Sequence, residues 1–370
     1  HFFNQNVGAF GGGSVTVAAA GNISDLSVMV PSTGKPMGMP AQFAQGQSAN
    51  WIQGGTSVGG GGDLQVTSGG NIRGGDFLVG LGSGVLKAGD GILTSKGLGS
   101  VLELGDAKFS LQARRDIVLG AALNPTLLPQ RTIPDAATRK NAFFFTYSPD
   151  SALALGSVAG DIVFQNDLDT LKSVKHYSPQ FGNGFELALY PGTLKAVAAT
   201  GNIDVNGSFN LYPAARGQLE LMAGQQIGYT GAPASVVKIN VSDADPALLP
   251  QIDHPDSTLM GDLTSKDYKT RERFDPESPI PGVIHAASPV HAGDLMNVQL
   301  EAQGGDIAFG NRSQLKLFLP KAADLVAQRD VRNVSVYAQN LDSASITQIR
   351  AGRDIIFDSR LDDNGAVVPL

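Results

Sequence analysis

The chain contains no cysteine, which excludes disulfides, thiolate metal ligands and cysteine nucleophiles. That absence suits a polypeptide that stays unfolded while it crosses membranes. Tryptophan occurs once, and aromatic residues make up only 7% of the chain. No apolar run reaches the roughly 18 residues that a membrane-spanning helix requires. No stretch sustains the 3.6-residue period of an amphipathic helix. Charge is sparse at 16%, with a net charge of −7 and a pI near 5.2. Scattered basic residues on an acidic chain disfavour nucleic acid as a partner. The sequence opens on His1 without Met or a signal peptide, which reads as an internal fragment or a processed product.

What is present is glycine, at 46 residues, and a recurring five-residue pattern. It reads Ala-Ala-Gly-Asn-Ile at 19–23, Ser-Gly-Gly-Asn-Ile at 68–72, Ala-Arg-Arg-Asp-Ile at 113–117, Val-Ala-Gly-Asp-Ile at 158–162 and Ala-Thr-Gly-Asn-Ile at 199–203. It continues as Ala-Gly-Gln-Gln-Ile at 223–227, Gln-Gly-Gly-Asp-Ile at 303–307, Ala-Gln-Arg-Asp-Val at 327–331 and Ala-Gly-Arg-Asp-Ile at 351–355. The fourth position is occupied by Asn22, Asn71, Asp116, Asp161, Asn202, Gln226, Asp306, Asp330 and Asp354. The step is 24 residues from Asn202 to Gln226, from Asp306 to Asp330 and from Asp330 to Asp354. Steps of 49, 45, 45 and 41 read as two units each, with a weaker copy, Ala-Gly-Asp-Gly-Ile, at 88–92. The 80-residue step contains an insertion.

Apolar residues alternate on both sides of the pattern, as in Val298, Leu300 and Ala302 before it and Ile307 and Phe309 after it. Period two marks a strand with one buried face. The small, turn-prone residues between the strands make a corner, where Gly and Asn accept unusual dihedrals. A strand-corner-strand unit cannot bury its apolar face alone, so neighbours must stack. The expectation is all-β: a right-handed parallel β-helix, a solenoid with coils of about 24 residues and projecting loop insertions. Residues 1–370 then form one shaft segment of roughly ten to twelve coils, about 50–60 Å long at the usual strand spacing. In such a stack the fourth-position side chains line up rung over rung and hydrogen-bond along the column, as polar ladders do in cross-β structures.

Three stretches break the period and read as loops outside the coils. Residues 31–57 hold three prolines and Trp51; residues 121–150 hold four prolines and 135–142, a short helix candidate; residues 233–293 hold eight prolines. Proline at that density does not sit in central strands, and loops of this length are commonly functional. Neither end has a cap, so the shaft is expected to continue in both directions or to stack end to end with further copies.

The recurring Ala-Gly-Arg-Asp-Ile pattern, with Leu315-Lys-Leu-Phe-Leu-Pro-Lys-Ala-Ala-Asp324, Ser335-Val-Tyr-Ala-Gln-Asn340 and Ile349-Arg-Ala-Gly-Arg-Asp-Ile355, resembles the filamentous haemagglutinin family of bacterial exoproteins. The resemblance covers most coils and is best over 294–370. It implies a right-handed β-helical fibre, export through an outer-membrane barrel partner by two-partner secretion, and an extracellular or cell-surface location. It also implies a role in adhesion or biofilm formation, by contact with a receptor or glycan on a host or neighbouring cell. No match to the family's secretion domain or to a toxin domain is evident, so the fragment reads as shaft.

β-helices also host polysaccharide lyases and hydrolases, which pair carboxylates on one face. Here the aspartates of the fourth position interchange with Asn and Gln, which marks a structural ladder; no catalytic residue, cofactor or metal is assigned. His254, Asp256, His285 and His291 would make a metal site only if the large loop folded back, and no zinc-type spacing supports one. The glycine runs Gly11–Gly13 and Gly59–Gly62 lack the ending of a phosphate loop and read as flexible corners. Partner contacts, if carried by the loops, fall on Trp51, on Phe143, Phe144, Phe145 and Tyr147, and on Tyr268, Arg271 and Arg273.

Overall fold

A computed structural model of the chain describes residues 6–36, 56–125, 145–166, 189–232, 235–249, 251, 288–310, 312–361 and 367–369. The described residues are all-β; they hold no α-helix, and Pro246–Leu248 makes a 3₁₀ turn. Parallel pairing dominates. Three columns of strands run along the molecule, each strand paired with its counterpart one rung further on.

The first column precedes the corner. Val15–Ala19 pairs with Leu64–Ser68, and the succession continues through Ala152–Ser157, Thr193–Ala198, Leu219–Ala223, Val298–Ala302 and Ala323–Ala327 to Gln348–Ala351. The second column follows the corner. Its register is Ile23, Ile72, Ile92, Ile117, Ile162, Ile203, Ile227, Ile307, Val331 and Ile355, each the direct partner of the next. From Ile72 to Ile307 every member is fully buried. The third column begins in the parallel pairing of Val7 with Val28 and continues through Phe77, Leu102 and Ala122. It resumes as a five-stranded sheet of Leu189–Tyr190, Phe209–Leu211, Val236–Val241, Gln314–Leu319 and Val334–Ala338.

Alternation explains the core. In Leu219–Ala223 the side chains of Leu219, Leu221 and Ala223 are buried, while Glu220 and Met222 lie on the outer side. Between the columns the interior is filled by rings: Tyr190 stacks on Phe209 with centroids 4.7 Å apart, and Phe164 packs against both.

The pairing corrects the rung count. Ile23 pairs directly with Ile72, Ile117 with Ile162, and Ile162 with Ile203. The steps of 49, 45 and 41 residues are therefore single rungs enlarged by insertions, not two units each. Only the step from Asn71 to Asp116 spans two rungs, through Ile92.

The loop boundaries change as well. Ser32–Pro36 and Thr56–Gly60 form an antiparallel ribbon at the base of the first insertion. Residues 121–123 belong to the third column. Val236–Val241, inside the stretch read as the largest loop, is a core strand, because Val237, Ile239 and Val241 alternate inward and no proline interrupts them. The helix candidate at 135–142 lies outside the described residues, as do 167–188, which the sequence reading placed in coils.

Glycine acts differently from expectation at two places. The runs Gly11–Gly13 and Gly59–Gly62 are not loose corners. Gly62 adopts a φ of +143°, and a Cβ there would collide with the backbone of Gly13, so two rungs meet closely at these glycines. The glycines of the recurring corner have ordinary negative φ; the reason they recur is space.

Candidate functional site

The corner is the most regular feature. Each fourth-position carbonyl accepts from the amide of the apolar residue in the rung before it: Ile162 donates to Asn202 at 2.9 Å, Ile307 to Asp330 at 2.9 Å, Val331 to Asp354 at 2.9 Å. The side chains add a second ladder. Asn22 Oδ1 accepts from the Asn71 amide at 2.7 Å, Asp116 Oδ1 from the Asp161 amide at 2.9 Å, and Asp161 Oδ1 from the Asn202 amide at 2.7 Å. Asp306 Oδ1 likewise accepts from the Asp330 amide at 2.9 Å, and Asp330 Oδ1 from the Asp354 amide at 3.2 Å. The acceptor is thus a side chain and the donor chiefly the next rung's backbone. Side chain meets side chain only from Asn71 to Asn22 and from Asn202 to Asp161.

This geometry explains the residue preceding the fourth position. A Cβ at Gly70, Gly160 or Gly201 would press on the Oδ1 of Asn22, Asp116 or Asp161 respectively. Where arginine replaces that glycine, it pairs with the carboxylate below. Arg353 Nε lies 2.8 Å from Asp330 Oδ1, and Arg329 lies 3.6 Å from Asp306. That pairing, with the bond from the Asp354 amide, holds the Asp330 carboxyl below its ordinary range. The ladder breaks at Gln226: among the described residues no such side-chain bond joins Asn202 to Gln226 or Gln226 to Asp306.

A groove of about 780 Å³ follows the side of the molecule where insertions leave the columns. Leu81, Asp106, Phe145, Tyr147, Tyr212 and Asp245 contribute to its walls. Of the aromatic cluster, Phe145 and Tyr147 lie among the described residues, and both pack on the shaft rather than stand out from the surface. Phe145 and Tyr147 are 4% and 7% exposed and pack against Tyr212 at 5.4 and 5.5 Å between centroids. The Tyr147 hydroxyl donates to the Leu189 carbonyl at 2.7 Å, and burial pushes its pKa well up. These rings anchor the returning chain on the core, because an apolar face of this size has more to gain from burial than from exposure. Trp51, Phe143, Phe144, Tyr268, Arg271 and Arg273 lie outside the described residues.

The sequence reading missed a buried ionic staple. Lys321 is 2% exposed, and its Nζ donates at 2.7 Å to each of three acceptors: Gly217 O, Gln218 Oε1 and Asp294 Oδ2. All three ammonium protons are therefore satisfied, which fits a charged lysine. Burial nevertheless outweighs the pairing and leaves the Lys321 pKa lowered. For Asp294, burial pushes up, but the bonds from Lys321 and the Met296 amide outweigh it. The acceptors and the donor precede three successive strands of the first column, so the staple ties three rungs together. His291 sits beside it, with Nδ1 3.8 Å from Asp294 Oδ2. Its ring nitrogens lie near backbone groups of Ser242 and Ala215 without meeting hydrogen-bond geometry. Burial, helped by Lys321, lowers its pKa to about 4, so it is neutral at physiological pH. His254, Asp256 and His285 lie outside the described residues, and among those described no three His, Cys, Asp or Glu side chains converge.

Comparison with protein-family models, with curated proteins and with solved structures finds no match.

Proposed function

We propose that the chain is a right-handed parallel β-helix with coils of about 24 residues and serves as a shaft segment of a secreted bacterial surface adhesin of the filamentous haemagglutinin type. The observation that carries this reading is the unbroken register of the second column: ten stacked Ile or Val positions, nine of them preceded by Asn, Asp or Gln at the corner. A repeated polar corner specifies length and shape and asks for no substrate. The resemblance of the corner sequence to that family adds the location, outside the cell, and the route, through an outer-membrane barrel. Adhesion to a receptor or glycan on another cell then falls to the stretches that interrupt the period, with the groove beside them.

Beads coated with the chain should attach to cultured cells or to an immobilised glycan. Replacing 252–287 with a short Gly/Ser linker should leave the melting temperature unchanged and reduce attachment. Absence of attachment to any surface, or release of new reducing ends from acidic polysaccharides, would contradict the reading.

A further inference from the structure

We propose that Asp204, the Gln226 amide and the Ala308 carbonyl form a binding site for a divalent cation of the calcium class, placed where the corner ladder breaks. The inference needs only the stacking of the rungs and does not rest on the adhesin reading.

Asp204 lies between Ile203 and Val205, both fully buried in the interior, so alternation turns its side chain to the outer side of the strand. An outward aspartate is ordinarily solvated, yet Asp204 is only 7% exposed, and its Oδ1 is buried without a hydrogen-bond partner. Its register partner in the next rung is Gly228, which has no side chain to fill the space above it. The point where a Gly228 Cβ would stand lies 3.4 Å from Ala308 O, 3.7 Å from Asp204 Oδ1 and 3.9 Å from Gln226 Nε2. Polar atoms from three rungs therefore face one gap. A half-turn of the Gln226 amide brings its oxygen to the same place.

The Asp204 carboxylate is buried, and its Oδ1 has no donor. Such an arrangement is costly unless a positive charge compensates it. The available ligands are carboxylate, carbonyl and amide oxygens, with no nitrogen or sulfur donor of the kind zinc prefers. Irregular oxygen sites completed by water suit calcium better than magnesium, which demands near-ideal octahedral geometry. Gln226 is exposed, so its side chain can turn aside to admit an ion to the buried gap. The ladder's interruption is also explained: Gln226, the one long side chain in the series, is not spent on a corner bond.

The test uses the full chain stripped with EDTA and titrated with calcium chloride, followed by calorimetry and by thermal melting. We expect saturable binding of one ion per chain and a melting temperature that rises with the logarithm of calcium concentration, with a smaller response to magnesium. Asp204→Asn should lose the response. Gly228→Ala places a methyl at ordinary contact distances of 3.4–3.9 Å, so it should melt like the wild type in EDTA yet lose the calcium response. Should Asp204→Asn fail to fold, Gly228→Ala decides alone. No binding heat and no melting shift up to roughly 1 mM calcium, where extracellular modules bind, would overturn the proposal. A full calcium response in Gly228→Ala would overturn it equally.

Discussion

Asp161 Oδ1 accepts two hydrogen bonds from Asn202 one rung on, at 2.7 Å from the backbone amide and 3.0 Å from the side-chain amide. A single carboxylate oxygen so ties one corner to the next, across 41 residues of sequence. The backbone bond recurs at five other steps, donated by Asn71, Gly91, Asp161, Asp330 and Asp354. It makes the fourth position an acceptor requirement, met by Asn or Asp alike, and at the third position glycine leaves that oxygen room while arginine pairs with the carboxylate below.

Those two requirements predict a coupled pair. Gly70→Ala should destabilise by about 1–3 kcal/mol, because its methyl drives into Asn22 Oδ1. Asn22→Gly alone should cost about 1 kcal/mol for the lost bond to the Asn71 amide. The double variant should be more stable than Gly70→Ala alone, since the obstacle is gone. Urea melts of the four proteins measure the coupling; strict additivity would refute the spatial argument.

Ile307→Asp places a carboxylate in the fully buried column between Ile227 and Val331. No donor lies within that stack, so the loss should exceed about 4 kcal/mol and the cooperative transition should weaken or vanish. Wild-type-like melting of this variant would mean the register is wrong.

Breaking the Lys321 staple from one side leaves a buried charge unpaired. Asp294→Ala should therefore cost about 3–5 kcal/mol, and so should Lys321→Met. Replacing Lys321 and Asp294 together by apolar residues should cost less than either single change. Denaturant midpoints across this cycle test the assignment, and a double variant worse than the sum of the singles would count against it.

Acid should act in opposite directions at two sites. His291 has a folded pKa lowered to about 4, so between about 6.5 and 4 the unfolded chain binds more protons. Stability from the neutral ring is present above that window and lost as pH falls through it. Asp204 has a folded pKa raised to about 6, so the folded chain binds more protons between about 4 and 6, and stability falls as pH rises through that window. Each effect is worth at most about 3 kcal/mol. In EDTA, His291→Gln should be less acid-sensitive than the wild type and Asp204→Asn more so. Parallel stability-pH curves for all three would reject both assignments.

Strand alternation and the polar corner were legible because both recur at a fixed place relative to Ile or Val, and a recurrence survives even when each copy is degenerate. Rung number was not legible, since sequence spacing counts residues, and an insertion between Ile162 and Ile203 looks like an extra coil. Val236–Val241 was hidden by its proline-rich neighbours, although its own alternation is clear. Phe145 and Tyr147 were readable only as an aromatic cluster, with nothing local to say that Tyr212 lies beneath them. The staple was invisible: Lys321 and Gly217 are 104 residues apart, and neither carries a motif. Asp204 gave no signal either, since its burial depends on the absence of a side chain at Gly228.

The central claim is that successive copies of the corner sit in register across insertions, and the lack of cysteine gives a clean way to test it. Met222 and Glu301 are direct partners across the longest break in the period, at the separation a disulfide spans. The variant carrying Met222→Cys and Glu301→Cys should form an intramolecular disulfide under mild oxidation, whereas Met222→Cys with Gln299→Cys, two residues out of register, should not. Failure of the first pair to close, or equal closure of both, would contradict the stacked architecture.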